Sequence, residues 1–366
     1  MRIMHITPSL NTGGAEIFSF QLCEALERRG HKVILLSISE PTKDDVLFER
    51  LKRAKFEFIS LGKISGNGPS LKVPFQIRSI VKEWKPAIVN THLRALAYSV
   101  LVPGGEIDRF HTVHSMAKKE AGMHLRKLNQ LQFWRGWKPI AISNKVGESI
   151  LEVYKIRAPK INNGVERPLF SPDRANFWRQ ELGLSGSEKV VLHIGRLTAV
   201  KNQLSLLNAF SRLAANDPTL HLVLVGDDPE IGKPYLEEIN QAIAKFAPKI
   251  SQRVHLLGLR RDIGDLLAAA DVFVLCSLYE GLPLALLEAM SFGLKCVCIN
   301  VGGIPDAISP KSGWLVKPNC PKSLRKSLSE ALHSTASEKG NEAKNTFDQE
   351  FTIDSCAHKY ELLYNK

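Results

Sequence analysis

Glu280 and Glu288 stand seven residues apart, with Gly-Leu-Pro-Leu-Ala-Leu-Leu between them, in a stretch that is otherwise almost wholly apolar. Carboxylates usually sit in water, so the plain reading is a loop acid favouring a helix dipole and a solvated helix position. Helical spacing argues otherwise for the second acid, because it sets Glu288 beside Leu284, Ala285, Ser291 and Phe292. An acid among such neighbours costs free energy unless it meets a hydrogen-bond partner. Two hydroxyls of a ribose would be such a partner. Upstream, Arg196 and Lys201 place two cations five residues apart in a loop that follows an apolar run. Loop cations are ordinarily just solvated.

The elements around these residues read as strand, loop and helix. VFVLC, before Glu280, is a two-sided apolar run of the kind found in covered parallel sheets. Gly281 permits a sharp exit, Pro283 opens a helix and Gly293 ends it. A helix N-terminus at the carboxyl edge of a sheet suits a phosphate. The same alternation recurs throughout. RIMHIT leads through Gly13-Gly14 into an amphipathic helix, and FEFISL, KVPFQIRSIVKEW, PAIVNTHL and RFHTVHS follow. KVVLHIGRL restarts the pattern in the second half, and LHLVLVGDD places Gly226 and Asp227 at another strand end. This predicts an α/β chain with doubly wound parallel sheets. His92 and His114 fall at carboxyl ends of strands, where ligands bind in such sheets and where structural histidines are equally common.

With 366 residues, 44% hydrophobic and 23% charged, the chain has room for two domains. No apolar run reaches the roughly 20 residues that cross a bilayer, and MRIMHITPSLNTGGAE turns polar too soon for a secretory signal. A cytosolic protein is expected, with a peripheral place on the cytoplasmic face of the inner membrane as an extension. Six cysteines without metal-ligand spacing are expected to be structural. The net charge of +12 is uneven: residues 1–168 hold 27 Lys and Arg against 15 Asp and Glu, and residues 169–366 hold 22 against 22. A basic first half suits anionic lipid headgroups or a polyprenyl diphosphate, and the neutral second half offers no continuous stripe for nucleic acid. Residues 116–139 interleave Lys118, Lys119, Arg126, Lys127, Arg135 and Lys138 with Met123, Leu125, Leu128, Leu131, Phe133, Trp134 and Trp137. That composition fits a membrane-interface helix and equally an ordinary helix packed on the sheet.

SLYEGLPLALLEAMSFG closely resembles the signature of retaining nucleotide-sugar glycosyltransferases of the family-4 type, and the likeness extends over nearly the whole chain, densest from Val190 to Pro318. It implies the GT-B fold: two Rossmann-like domains facing each other across a cleft, residues 1–170 for the acceptor and 171–348 for the donor, with a C-terminal helix, 349–366, returning to the first. It assigns sugar hydroxyls to Glu280, the ribose to Glu288, and the sugar and diphosphate to the amides of Gly281, Leu282, Pro283 and Leu284. Arg196 and Lys201, in G-R-L-x-x-x-K, become the diphosphate clamp. A leaving diphosphate needs such cations as its charge grows, and two of them can replace a metal ion. No cofactor and no metal are therefore expected. No Asp-x-Asp pair stands at a strand end; Asp44-Asp45 and Asp227-Asp228 are adjacent acids. Gly13, Gly14 and Gly226 would line the donor, the base would meet backbone near Leu259 with help from Arg260 and Arg261, and His114, in T-V-H-S, would reach the transferred sugar, with His92 behind it. Lys295 opens a strand where the family usually has proline. The implied reaction moves a sugar from an NDP-α-sugar, UDP first and GDP-mannose second, with retention, to a saccharide or lipid-linked saccharide in bacterial surface-polysaccharide assembly. A sugar-nucleotide epimerase on the same fold and a non-catalytic basic binding protein are the rival readings.

Overall fold

A computed structural model describes residues 1–10, 13–41, 46–64, 68–120, 122–184, 186, 188–334 and 338–366. Asp44 and Asp45, and the side chain of Met123, lie outside the described residues. The chain divides into two compact units, Met1–Val165 with Phe351–Lys366, and Glu166–Glu350.

The first unit holds β1 (Arg2–Thr7), β2 (Lys32–Ser39), β3 (Glu57–Lys63), β4 (Ile88–His92), β5 (Asp108–Val113) and β6 (Lys138–Ala141) in the order β3-β2-β1-β4-β5-β6. The second holds β7 (Lys189–Ile194), β8 (Leu220–Val225), β9 (Val254–Leu256), β10 (Val272–Leu275), β11 (Lys295–Ile299) and β12 (Trp314–Val316), ordered β12-β11-β10-β7-β8-β9. All pairings are parallel. Both sheets thus have the doubly wound order, in which the strand sequence reverses between β1 and β4 and again between β7 and β10. Val272 to Leu275 and Cys296 to Ile299 are buried throughout, as strands covered on both faces must be.

The last helix, Ile353–Tyr364, belongs to the first unit and packs on its first helix, Gly14–Arg28. Ion pairs Arg28–Asp354 and Arg29–Glu361 rim the contact. Beneath them the Tyr360 hydroxyl bonds Thr112 Oγ1 at 3.0 Å, and Asn90 Nδ2 donates to the Tyr364 hydroxyl at 2.9 Å. Buried polar groups paired in this way fix the register of the helix on β4 and β5.

The interleaved stretch 116–139 does not form one amphipathic surface. Its helix, Met123–Trp134, ends at the first of its two tryptophans, with Arg135 as the C-cap. Trp134 is 76% exposed, whereas Trp137 is 2% exposed, under the Arg109 guanidinium at the start of β6, and Phe133 is buried against Tyr154. Trp137 and Phe133 are therefore core residues, and among the described residues only Trp134 and Leu131 are large apolar side chains exposed at this place.

Candidate functional site

In the second unit, residues 195–202 leave β7 for the helix Gln203–Ala214, and residues 276–283 leave β10 for the helix Leu284–Ser291. Both loops start at the strand-order reversal, the crevice where open α/β sheets bind ligands. They are stitched together: Leu278 N donates to Val200 O at 2.8 Å, and Asn202 Nδ2 to Cys276 O at 3.2 Å. The Cys276 thiol donates to the Lys201 carbonyl at 3.1 Å, and burial pushes its pKa up to about 12, so it stays a donor.

On this frame Lys201 Nζ donates to Glu280 Oε1 at 2.6 Å, with both side chains largely buried. Arg196 is exposed, and its guanidinium has no ion pair or hydrogen bond among the described residues. Its backbone is held from behind. His193 lies buried on β7 with Nδ1 2.9 Å from Val274 O, so Nδ1 carries the proton and Nε2 accepts from Gln203 at 3.1 Å. Gln203 Nε2 also donates to Arg196 O at 2.9 Å.

Gly226 has φ +137°, and a Cβ there would overlap the Gly195 carbonyl, so the β8 exit lies flat against the loop carrying Arg196. Gly226 N donates to Gly258 O at 2.8 Å, which brings the backbone at Leu259 to the same edge while its side chain stays exposed. Arg260 is engaged locally: its guanidinium spans both carboxyl oxygens of Asp262 at 2.9 Å and lies 4.7 Å from the Trp178 ring centroid. Asp227 pairs with Lys233, and Asp228 accepts from the amides of Tyr235 and Leu236, so both of these acids serve the next helix.

The helix Leu284–Ser291 has Pro283 as N-cap and no side-chain cap. Leu282 and Leu284 point into the core, which leaves the backbone of Gly281 to Leu284 as the polar surface at a positive dipole end. Glu288 stands one turn further on. It retains some exposure, its carboxyl has no hydrogen bond among the described residues, and burial alone pushes its pKa up to about 7. Lys295 has a local task, donating to Ser334 O at 2.6 Å.

Gly302, after β11, has φ +57°, and a Cβ there would overlap the Glu280 carbonyl oxygen. The backbone of Glu280 is braced by that close approach. Gly302→Ala should therefore displace Glu280 as well as strain the left-handed turn. We expect a melting temperature several degrees lower and loss of most nucleotide affinity, read by thermal denaturation and calorimetry; wild-type values for both would remove the bracing role.

The first unit carries Gly13, Gly14 and His114. Gly13 is the N-cap of the first helix in ordinary extended geometry, φ −133° and ψ 154°, with the Glu16 carboxylate lying against it where a Cβ would be, and Gly14 is exposed. His114 Nε2 lies 2.9 Å from His92 Nδ1, and His92 Nε2 lies 2.9 Å from His5 Nδ1. Glu120 accepts from the amides of His114 and Ser115 and meets His111 Nε2 at 3.2 Å, holding the turn after β5.

The structure thus gathers Arg196, Lys201, Gly226, Leu259, Glu280, Gly281 to Leu284 and Glu288 at one sheet edge of the second unit. Gly13, Gly14 and His114 stand on the first unit. Two cations, a bare helix N-terminus and two acids make a receptor for a diphosphate with hydroxyl groups on either side. Sequence reasoning missed His5, His193 and Gln203; the available signal was a histidine in each first strand. It also assigned no role to Gly302, although a glycine pair shortly past a strand end is a signal of close backbone approach.

The Glycosyl transferases group 1 family model matches residues 175–347, and the Glycosyltransferase Family 4 model matches residues 12–167. N-acetyl-alpha-D-glucosaminyl L-malate synthase of Bacillus anthracis is 30% identical over 98% of this chain and 95% of its own length. The Escherichia coli UDP-Gal:alpha-D-GlcNAc-diphosphoundecaprenol alpha-1,3-galactosyltransferase is 29% identical over 68% of this chain and 67% of its own. Among solved structures, Anabaena HepE in complex with UDP superposes with a TM-score of 0.84 at 21% identity, covering all of both chains, and its complex with UDP-glucose gives 0.83.

Proposed function

Because the chain belongs to the group 1, family 4 glycosyltransferases and is a sugar-transferring enzyme, we propose that it moves a sugar from a UDP-sugar to an acceptor hydroxyl with retention of configuration. The observation that carries this is the Lys201–Glu280 pair beside the uncapped helix N-terminus, with the unpaired Glu288 one turn away. The diphosphate would lie on the amides of Gly281 to Leu284, with Arg196 and Lys201 stabilising the charge that develops as it leaves. Glu280 and His114 would orient the sugar, Glu288 would accept from the ribose, and the base would rest on backbone near Gly226 and Leu259. Leaving on the same face that the acceptor attacks, the diphosphate can itself take the acceptor's proton, so no side-chain base is required. The two cations supply the stabilisation that a metal ion would otherwise give, and transfer is metal-independent in this reading.

UDP stands ahead of GDP because the E. coli relative is named for UDP-Gal and the HepE structure for bound UDP. In a thermal-shift panel of UDP- and GDP-sugars, one UDP-sugar should raise the melting temperature by several degrees, since ligand at about 100 times its Kd adds roughly 2.7 kcal/mol. The shift should persist in excess EDTA. No shift with any nucleotide sugar would overturn the donor reading, and a shift abolished by EDTA would overturn metal independence.

For the acceptor we favour a lipid-linked saccharide in surface-polysaccharide assembly, supported by the basic first half and by the diphosphoundecaprenol acceptor in the E. coli relative's name. The B. anthracis relative, named for L-malate, supports a small hydroxy acid as the second reading. A lipid acceptor implies membrane contact. The connections from β3 to β4 and onward to β6 all cross the sheet in one direction, so right-handed crossovers put their helices on one face. Exposed Leu71, Phe75, Leu131 and Trp134 belong to that face's helices and their flanks, with Lys72, Arg78, Lys82 and Lys127 in the same segments. A Phe75→Ala, Trp134→Ala variant should bind anionic vesicles several-fold more weakly without losing its fold; unchanged binding would remove the membrane contact.

A further inference from the structure

We propose that His5 and His92 are positioning residues that lock His114 in the Nδ1–H tautomer, so that it meets the bound sugar as a hydrogen-bond donor and not as a proton acceptor. The inference rests on the reading of His114 as a sugar-facing residue.

The three rings come together through sheet register. His5 on β1 is paired with Asn90 on β4, and His92 is two residues further along. His92 is in turn paired with Thr112 on β5, and His114 is again two residues on. Each step crosses one strand and advances two positions, so all three side chains rise from the same face of the sheet. Phe18, on the first helix, packs edge-on against His92 and His114 at centroid distances of 6.3 and 5.6 Å. Tyr360 from the last helix stands behind Phe18 at 6.2 Å. The stack has little freedom to rotate.

Three neutral imidazoles joined by two N···N bonds can carry their protons in only two ways. A neutral ring has one N–H and one lone pair, so His92 must donate to one neighbour and accept from the other. Burial holds His5 at about 3, His92 well below its usual range and His114 at about 4, which excludes a cation in the chain near neutral pH. In the inward arrangement every Nε2 is protonated, and the series ends on an N–H at His5 Nε2. That atom is buried and has no partner among the described residues. In the outward arrangement every Nδ1 is protonated, and His5 Nε2 keeps only a bare lone pair. Orphaned buried N–H groups are rarer than under-satisfied acceptors, so the outward arrangement is favoured. His114 then has Nε2 occupied by His92 and presents Nδ1–H, which has no partner among the described residues. A group so arranged donates to a sugar hydroxyl oxygen and has no free lone pair with which to deprotonate an acceptor.

The test is long-range 1H–15N correlation on the full chain with 15N-labelled histidine. His114 should show a protonated Nδ1 and an unprotonated Nε2 from about pH 6 to pH 9. A protonated Nε2 or a cationic ring in that range would overturn the proposal. His92→Phe should give a mixture of His114 tautomers and a roughly 10-fold fall in kcat with donor KM little changed. His92→Gln, whose amide can donate towards His114 and accept from His5, should recover most of both. Equal kcat in the parent and His92→Phe, with the UDP-sugar selected by the thermal panel, would also count against it. If His92→Phe does not fold, the parent spectrum and the Gln variant decide. His114→Ala separates the premise: full turnover there would sink the sugar-facing role and leave the tautomer result standing.

Discussion

Lys201→Ala should lower kcat by about 100- to 1,000-fold, the effect expected when one preorganised donor to a developing oxyanion is removed. Two losses coincide. The departing diphosphate loses a cation in a site partly shielded from water, and Glu280, 2.6 Å away and largely buried, loses the charge that compensates it. Arg196→Ala should cost less, roughly 10- to 100-fold, because its exposed guanidinium acts through a more screening medium. The two causes can be separated by a double-mutant cycle. If Lys201 serves mainly to hold Glu280, then Lys201→Ala, Glu280→Ala will be little worse than either single variant, with a coupling that approaches the single loss itself, about 3 kcal/mol. If it acts directly on the diphosphate, the losses will be closer to additive. Circular dichroism should show an intact fold in each variant, and near-normal turnover in Lys201→Ala would contradict the clamp.

What could be read from the sequence was local. Glu288 announced itself because helical spacing places it among apolar neighbours within a single segment, and the structure finds it unpaired there among the described residues. The loops holding Arg196 and Lys201 were legible for the same reason: strand, glycine and helix follow one another directly. What escaped depends on contacts between distant segments. Lys201 meets Glu280 across 79 residues, and Gly302 touches Glu280 only because β11 lies beside β10. His5 joins His92 across 87 residues through strand register, which no local period encodes. Trp137 failed differently. Its interleaving with basic residues looked continuous, but the helix stops at Trp134 and β6 begins at Lys138, so helical spacing no longer applied.

Glu288→Gln should make the protein more stable at alkaline pH and a poorer binder of nucleotide, and both effects follow from one carboxyl. Burial without a partner raises its pKa from 4.5 to about 7. A carboxyl with a raised folded-state pKa imposes no penalty below the unfolded value; as pH rises through this window the unfolded chain releases its proton first, and stability falls until the folded value is passed. Above pH 7 the full cost remains, roughly 3 kcal/mol at about 1.4 kcal/mol per pKa unit. Glutamine carries no such cost, so the gap in unfolding free energy between variant and parent should be widest near pH 8 and vanish towards pH 4. Ribose hydroxyls donating to the carboxylate would favour its charged form. Binding of UDP to the parent should therefore tighten as pH rises from 5 towards 7 and release a proton near pH 6, visible by calorimetry in buffers of different ionisation heat. Glu288→Gln should bind UDP about 10- to 100-fold more weakly, the worth of hydrogen bonds to a charged group, with no proton release. Equal affinity in the two proteins would falsify the ribose role, whereas equal stability at pH 8 would mean that the carboxyl is already solvated in the free enzyme.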